Sequence, residues 1–116
     1  MRYIEGYTPS VYEYDDTRNL RFALGNYGEK TLICIGINPS SASDQESDRT
    51  MNELIKFSKT NGYDSCIMIN PCPIRSARPS DLPKDSEMDG NITRMNLECI
   101  EKVLTQCVGC DALIMW

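Results

Sequence analysis

A chain of 116 residues can bury one hydrophobic core but not two, and with 41% hydrophobic and 25% charged residues it falls outside the disordered and fibrous classes. Lys plus Arg number 12 against 17 Asp plus Glu, and the resulting charge of −5 repels phosphate backbones at long range, which argues against tight nonspecific binding of DNA or RNA. No apolar run reaches the ~18 to 20 residues of a membrane span, and the opening Met1-Arg2-Tyr3-Ile4-Glu5 lacks a signal-peptide core, so the expectation is a cytoplasmic protein with no membrane partner.

The first segments carry Tyr3, Tyr7, Tyr12 and Tyr14 among acids, a composition suited to an irregular edge or cover. Residues 19–24 read as a strand. The turn Gly25-Asn26-Tyr27-Gly28 should join it as an antiparallel hairpin to the next run, residues 31–37 (TLICIGI). That run, residues 65–70 (SCIMIN) and residues 112–116 (ALIMW) are continuously apolar, the pattern of parallel strands buried on both faces. Between the first two, Met51, Leu54, Ile55 and Ser58 follow helical spacing, with Ser47 or Asp48 as cap and Gly62 as terminator. A second helix over residues 91–106 has Ile92, Met95, Cys99 and Val103 on one stripe, with Asn96 and Ile100 beside it. The expectation is one α/β domain over residues 1–116, with a mostly parallel sheet, helices on both faces in three layers, and an antiparallel N-terminal hairpin strand. Because the final apolar run stops on Trp116 with nothing to cap it, the domain is expected to be truncated at its C-terminus.

Six cysteines without a secretion signal read as reduced thiols. Cys34 and Cys66 sit in apolar runs as small core residues. Cys107 and Cys110 form C-V-G-C. With no histidine and no second C-x-x-C, a zinc site would have to borrow Cys72 or Cys99, so structural thiols are the simpler reading and neither metal nor cofactor is implied.

Ligands of open α/β sheets bind beyond the carboxyl ends of the parallel strands. Two such ends carry Asn-Pro here: Asn38-Pro39 and Asn70-Pro71. An asparagine at a rigid rim offers one acceptor and one donor group to a ligand or a water, although Asn and Pro also simply end strands. After Pro39, Ser40 and Ser41 are small enough to let a ligand reach the backbone, and Asp44 and Asp48 bring charge to the start of the first helix, where capping is the alternative role. After Pro71, Arg75 and Arg78 are candidate forks for phosphate or carboxylate. A rim amide contributes little to a core, so replacing Asn38 is expected to cost binding but little stability.

The segments "IGINPSSASDQESDRT", "NPCPIRSARPSDL" and "ALIMW" together resemble the bacterial domain of unknown function 1643, over residues 18–116. Its members read roughly L-N-P-S-x-A, then D-x-T, then N-[LP]-x-x-x-R-[AS]-x-x-P-x-x-L, then a strand ending in Trp-Gly. They continue past that Trp into a segment with His-Pro-Leu, in line with a truncated chain here. At one remove, "GINPS" looks like the first motif of the uracil-DNA glycosylase superfamily. That resemblance implies that Asn38 would hold the attacking water and Asn70 would read a base edge, with Asp44 and Asp48 the nearest candidates for a general base.

Three readings follow. The chain is a hydrolase of a nucleotide or nucleic-acid base, a binding module for a small phosphorylated or carboxylated ligand using the same rim, or a protein-interaction domain whose tyrosines and arginine loop form the interface.

Overall fold

The computed structural model describes residues 1–84 and 89–115. Five strands, β1 (Val11–Asp15), β2 (Leu20–Gly25), β3 (Thr31–Ile35), β4 (Ser65–Ile69) and β5 (Asp111–Ile114), form one sheet in the order β1-β2-β4-β3-β5. β3 pairs in parallel with both β4 and β5, β2 runs antiparallel to β4, and β1 runs antiparallel to β2. Only β2 therefore opposes the common direction, so the sheet is mostly parallel.

Side chains alternate across this sheet and divide its core into two faces. Leu32 and Cys34 of β3 with Cys66 and Met68 of β4 meet Met51, Leu54 and Ile55 of helix α1 (Arg49–Thr60). Ile33, Ile67 and Ile69 point the other way and meet Val103 of helix α2 (Gly90–Gln106). The helices thus cover opposite faces, giving three layers. The apolar stripe of α1 buries Met51, Leu54, Ile55 and Ser58 as its spacing predicts. Asp48 caps this helix, its Oδ1 accepting from the Met51 N–H at 2.8 Å. Asp89 caps α2 in the same way through the Asn91 N–H.

The hairpin exists but not between the expected partners. β2 pairs with β1 and β4, whereas β3 lies on the far side of β4. The cause is local to Gly25, whose φ is +151° and where a Cβ would strike the Cys66 carbonyl. Only glycine lets β2 come this close to β4. The chain then crosses the start of β4, pinned by Asp64, whose carboxylate accepts from the N–H groups of Glu29 and Lys30, each at 3.1 Å. The tyrosine-rich start does act as a cover, with Tyr3, Tyr7 and Tyr12 packed on the α1-side core and residues 11–15 forming the edge strand.

The last apolar run also departs from expectation. β5 is an edge strand with Asp111, Ala112 and Ile114 exposed; among the described residues it pairs with β3 alone, and Leu113 packs against the α1-side core. Its expected terminal residue, Trp116, lies outside the described residues. β3 is shorter than its apolar run, ending at Ile35; Ile37 is exposed and its carbonyl accepts from the Cys72 N–H, tying the two rim loops together.

Candidate functional site

The loops after β3 and β4 meet at one rim, and Asn38 holds them there. Its Nδ2 donates to the carbonyls of Pro39 (3.1 Å), Ile74 (3.0 Å) and Ser76 (3.0 Å), while the Ser76 N–H returns a bond to the Pro39 carbonyl. The loop after β4 also lies along the start of β2. The Arg21 N–H donates to the Pro73 carbonyl and the Arg75 N–H to the Asn19 carbonyl. This lateral pairing brings Arg75 beside Arg21.

Both guanidinium groups converge on one peptide. Arg21 Nη1 donates to the Ala42 carbonyl at 3.1 Å, and Arg75 Nη1 donates to the same oxygen at 2.9 Å and to the Ser40 carbonyl at 3.1 Å. The other side of the Ala42 peptide is held by Asp48, whose Oδ2 accepts its N–H at 3.0 Å. Asp48 is therefore both the cap of α1 and the anchor of the loop that receives the arginines. Arg75 Nη2 donates to the Tyr12 hydroxyl at 2.6 Å, and the Tyr12 ring stacks on Tyr14 at 4.0 Å between centroids. Tyr3 reinforces the loop from outside by donating to the Ser43 carbonyl, and burial pushes its phenol well above the ordinary tyrosine range.

Arg21 is only 2% exposed. In an unbroken strand it would share the face of Ala23, which packs toward α2. The β1–β2 register shifts between Glu13 and Tyr14, a bulge that turns Arg21 to the α1 side, where Nη2 reaches the Met68 sulfur at 3.1 Å. Its Nε has no hydrogen-bond partner among the described residues. Burial, and after it the neighbouring Arg75 charge, lowers the Arg21 pKa to about 10, so it remains charged at neutral pH. The ion pairs among the described residues are Arg18–Asp15, Arg49–Glu53 and Lys102–Glu13, none of which involves Arg21 or Arg75. Two cations thus sit together on one carbonyl, and among the described residues no carboxylate is paired to either.

A cleft of about 460 Å³ opens over Arg75, with Tyr12, Tyr14, Asp16, Ser41 and Asp44 among its walls. The rim residues singled out from sequence divide around it. Ser41, Asp44 and Arg75 line the cleft, while Asn38, Ser40 and Asp48 brace the loops behind it. Asn70 does not face the cleft: it is 1% exposed, its Nδ2 and Oδ1 lack partners among the described residues, and Gly36 leaves it room where a Cβ would stand 2.9 Å from Nδ2. Its backbone carbonyl accepts from Asn96 of α2 at 2.7 Å. Arg78 is exposed, with its backbone tied to the Ser76 hydroxyl.

Arg21, Tyr12 and Tyr14 were not predicted as site residues. The signal for Arg21 was present, since an arginine inside the otherwise uncharged strand LRFALG demands a reason for its burial. The tyrosines carried no such signal, because only the β1 register places them beside Arg75.

The cysteines take structural positions. Cys34 and Cys66 lie in the α1-side core, and Cys107 lies in the α2-side core with its thiol pushed up to about 11 by burial. Among the described residues no group of three or more His, Cys, Asp or Glu side chains is placed to hold a metal ion, and no helix is long and apolar enough to cross a membrane.

The model of the family described as a protein of unknown function, DUF1643, matches residues 21–116, a stretch that begins at Arg21 itself and takes in both rim loops. The chain belongs to the DUF1643 family. Searches of the curated proteins and of the solved structures found no match. The DUF1643 match takes in β2 from its second residue and all of β3, β4 and β5, and the Tyr12–Tyr14 wall of the cleft comes from residues ahead of it.

Proposed function

We propose that this DUF1643 chain binds a small anionic ligand, bearing a phosphate or a carboxylate, in the cleft over Arg75. One observation carries this reading: two guanidinium groups meet at the Ala42 carbonyl without a paired carboxylate among the described residues, one of them almost fully buried. Two neighbouring positive charges favour an anion at Arg75, the one of the two that opens to the cleft. Arg75 makes the direct contact and Arg21 strengthens the field from behind.

Hydrolysis of a nucleotide or base is the less favoured reading. It asks Asn38 to orient a water, a task left to its Oδ1 because the amide nitrogen already serves three carbonyls, and Asp48 is engaged by two backbone N–H groups. Of the two candidate bases, Asp44 and Asp48, Asp44 is the one that lines the cleft. Calorimetric titration with inorganic phosphate, phosphate monoesters and dicarboxylates tests the binding reading. Arg75→Ala should weaken such ligands by about 1.5 to 3 kcal/mol, the range for a lost hydrogen bond to a charged group. Equal affinity in wild type and Arg75→Ala sinks the proposal.

A further inference from the structure

The walls of the cleft differ in chemistry from its floor. The Arg75 guanidinium lies 6.0 Å from the Tyr12 ring centroid with Nη2 on the Tyr12 hydroxyl, and the Tyr14 ring stacks on Tyr12 at an interplanar angle of 12°. Tyr14 is 49% exposed, which leaves its ring open to extend the stack by one more planar group. Asp16 and Asp44 stand on the same cleft, and no hydrogen bond to either carboxylate is made by the described residues. Ionised carboxylates only accept hydrogen bonds. A purely anionic ligand would bind at Arg75 against their repulsion, whereas one that presents N–H donors at the end away from its anion would be held at both ends. At about 460 Å³ the cleft falls within the ordinary range for small-molecule sites, about 300 to 1,000 Å³, and is roomy for an isolated phosphate.

We infer that the ligand is an aromatic heterocycle with an amino substituent carried on a phosphate group, the chemistry of an amino-bearing nucleoside monophosphate, with its ring on Tyr14, its amino group at Asp44 or Asp16 and its phosphate at Arg75. The inference rests on the anion-binding reading of the same cleft and adds the identity of the other end of the ligand. It also gives the two acids, which oppose any simple anion site, a selective task. A keto group in place of the amino group would set an oxygen against a carboxylate.

The test is calorimetric titration of the full chain with adenosine 5′-monophosphate, inosine 5′-monophosphate and ribose 5-phosphate. Wild type should bind the adenine compound about tenfold more tightly than the hypoxanthine compound, and the latter about tenfold more tightly than ribose 5-phosphate, since stacking and one charge-assisted hydrogen bond are each of that order. Tyr14→Ala should weaken the adenine and hypoxanthine compounds alike by about tenfold and ribose 5-phosphate far less, leaving the preference for adenine over hypoxanthine in place. The double variant Asp16→Asn, Asp44→Asn should erase the preference for adenine over hypoxanthine and tighten ribose 5-phosphate, because two repelling charges are gone. If all three compounds bind alike and all are weakened by Arg75→Ala, the anion site stands and the aromatic-ring inference is overturned. If none binds, and phosphate and dicarboxylates do not either, both readings fall together.

Discussion

The two faces of the sheet are built from the same strands yet solve different problems. On the α2 side, Ala23, Ile33, Ile67, Ile69, Val103 and Cys107 form a closed apolar layer whose buried polar side chain, Asn96, spends its amide on the turn after β4. On the α1 side the core contains Ala42, whose carbonyl takes two guanidinium groups, and beneath it a buried arginine that contacts a thioether. The first face is held chiefly by apolar burial. The second buries charge beside the cleft, so on the proposed reading stability and function separate by face.

The sharpest way to break this division is to damage the purely apolar face. Ile67 is fully buried in β4 at the centre of the sheet, and Ile67→Ala should cost about 2 to 5 kcal/mol in urea unfolding. The molecules that remain folded should bind anions as wild type does; a matching loss of affinity would show that the faces are not independent. A smaller effect is expected at Asn38. Removing its amide takes the Asn38 partner from the Ile74 and Ser76 carbonyls and loosens the two rim loops, so Asn38→Ala should lose about 1 to 3 kcal/mol of stability and also weaken binding. This corrects the sequence expectation that the rim amide could be removed at little cost to the fold. Unchanged stability in Asn38→Ala would return Asn38 to the role of a free rim group.

Arg21→Met sharpens the comparison from the other side. Replacing an unpaired buried charge by an apolar side chain of similar length should leave stability unchanged or raise it by about 1 kcal/mol, while affinity for phosphate falls. Opposite signs for stability and binding are the signature of a residue retained for its charge, and a large loss of both would make Arg21 structural. The smallest effect concerns pH. Arg21 has its pKa lowered to about 10, so its proton is held at neutral pH and released as pH rises through that value, before the unfolded chain, with its ordinary arginine pKa, would let it go. A base depressed in this way penalises the folded state below about 10 and relieves it above. Affinity for a carboxylate ligand should accordingly stay flat from pH 6 to 9 and fall above about 10, read by titration calorimetry across that span.

Much of the architecture could be read from periodicity. The spacing of Met51, Leu54, Ile55 and Ser58 gave α1, its cap at Asp48 and its buried stripe, because helix amphipathicity is a local property of consecutive residues. The continuous runs around Ile33 and Ile67 gave the parallel pair β3–β4, since strands covered on both faces leave no room for alternation. The two Asn-Pro steps open the two loops that meet at the rim, and Arg75, on the second of them, lines the cleft.

What local pattern could not reveal was pairing between distant segments. Residues 19–24 are strand in either topology, and the choice of β1 and β4 over β3 as partners came from the close approach at Gly25 and the Asp64 anchor, both contacts across some forty residues of chain. The same holds for the chemistry of the rim. Asn38 and Asn70 look alike in sequence, yet one braces two loops and the other is buried beneath Gly36, because each side chain answers to the neighbours that folding assembles around it. Arg21 reaches Arg75 only through a bulge in β1–β2 and the lateral pairing of residues 73–75 with residues 19–21, so the pairing of charge that marks the cleft is a product of tertiary structure alone.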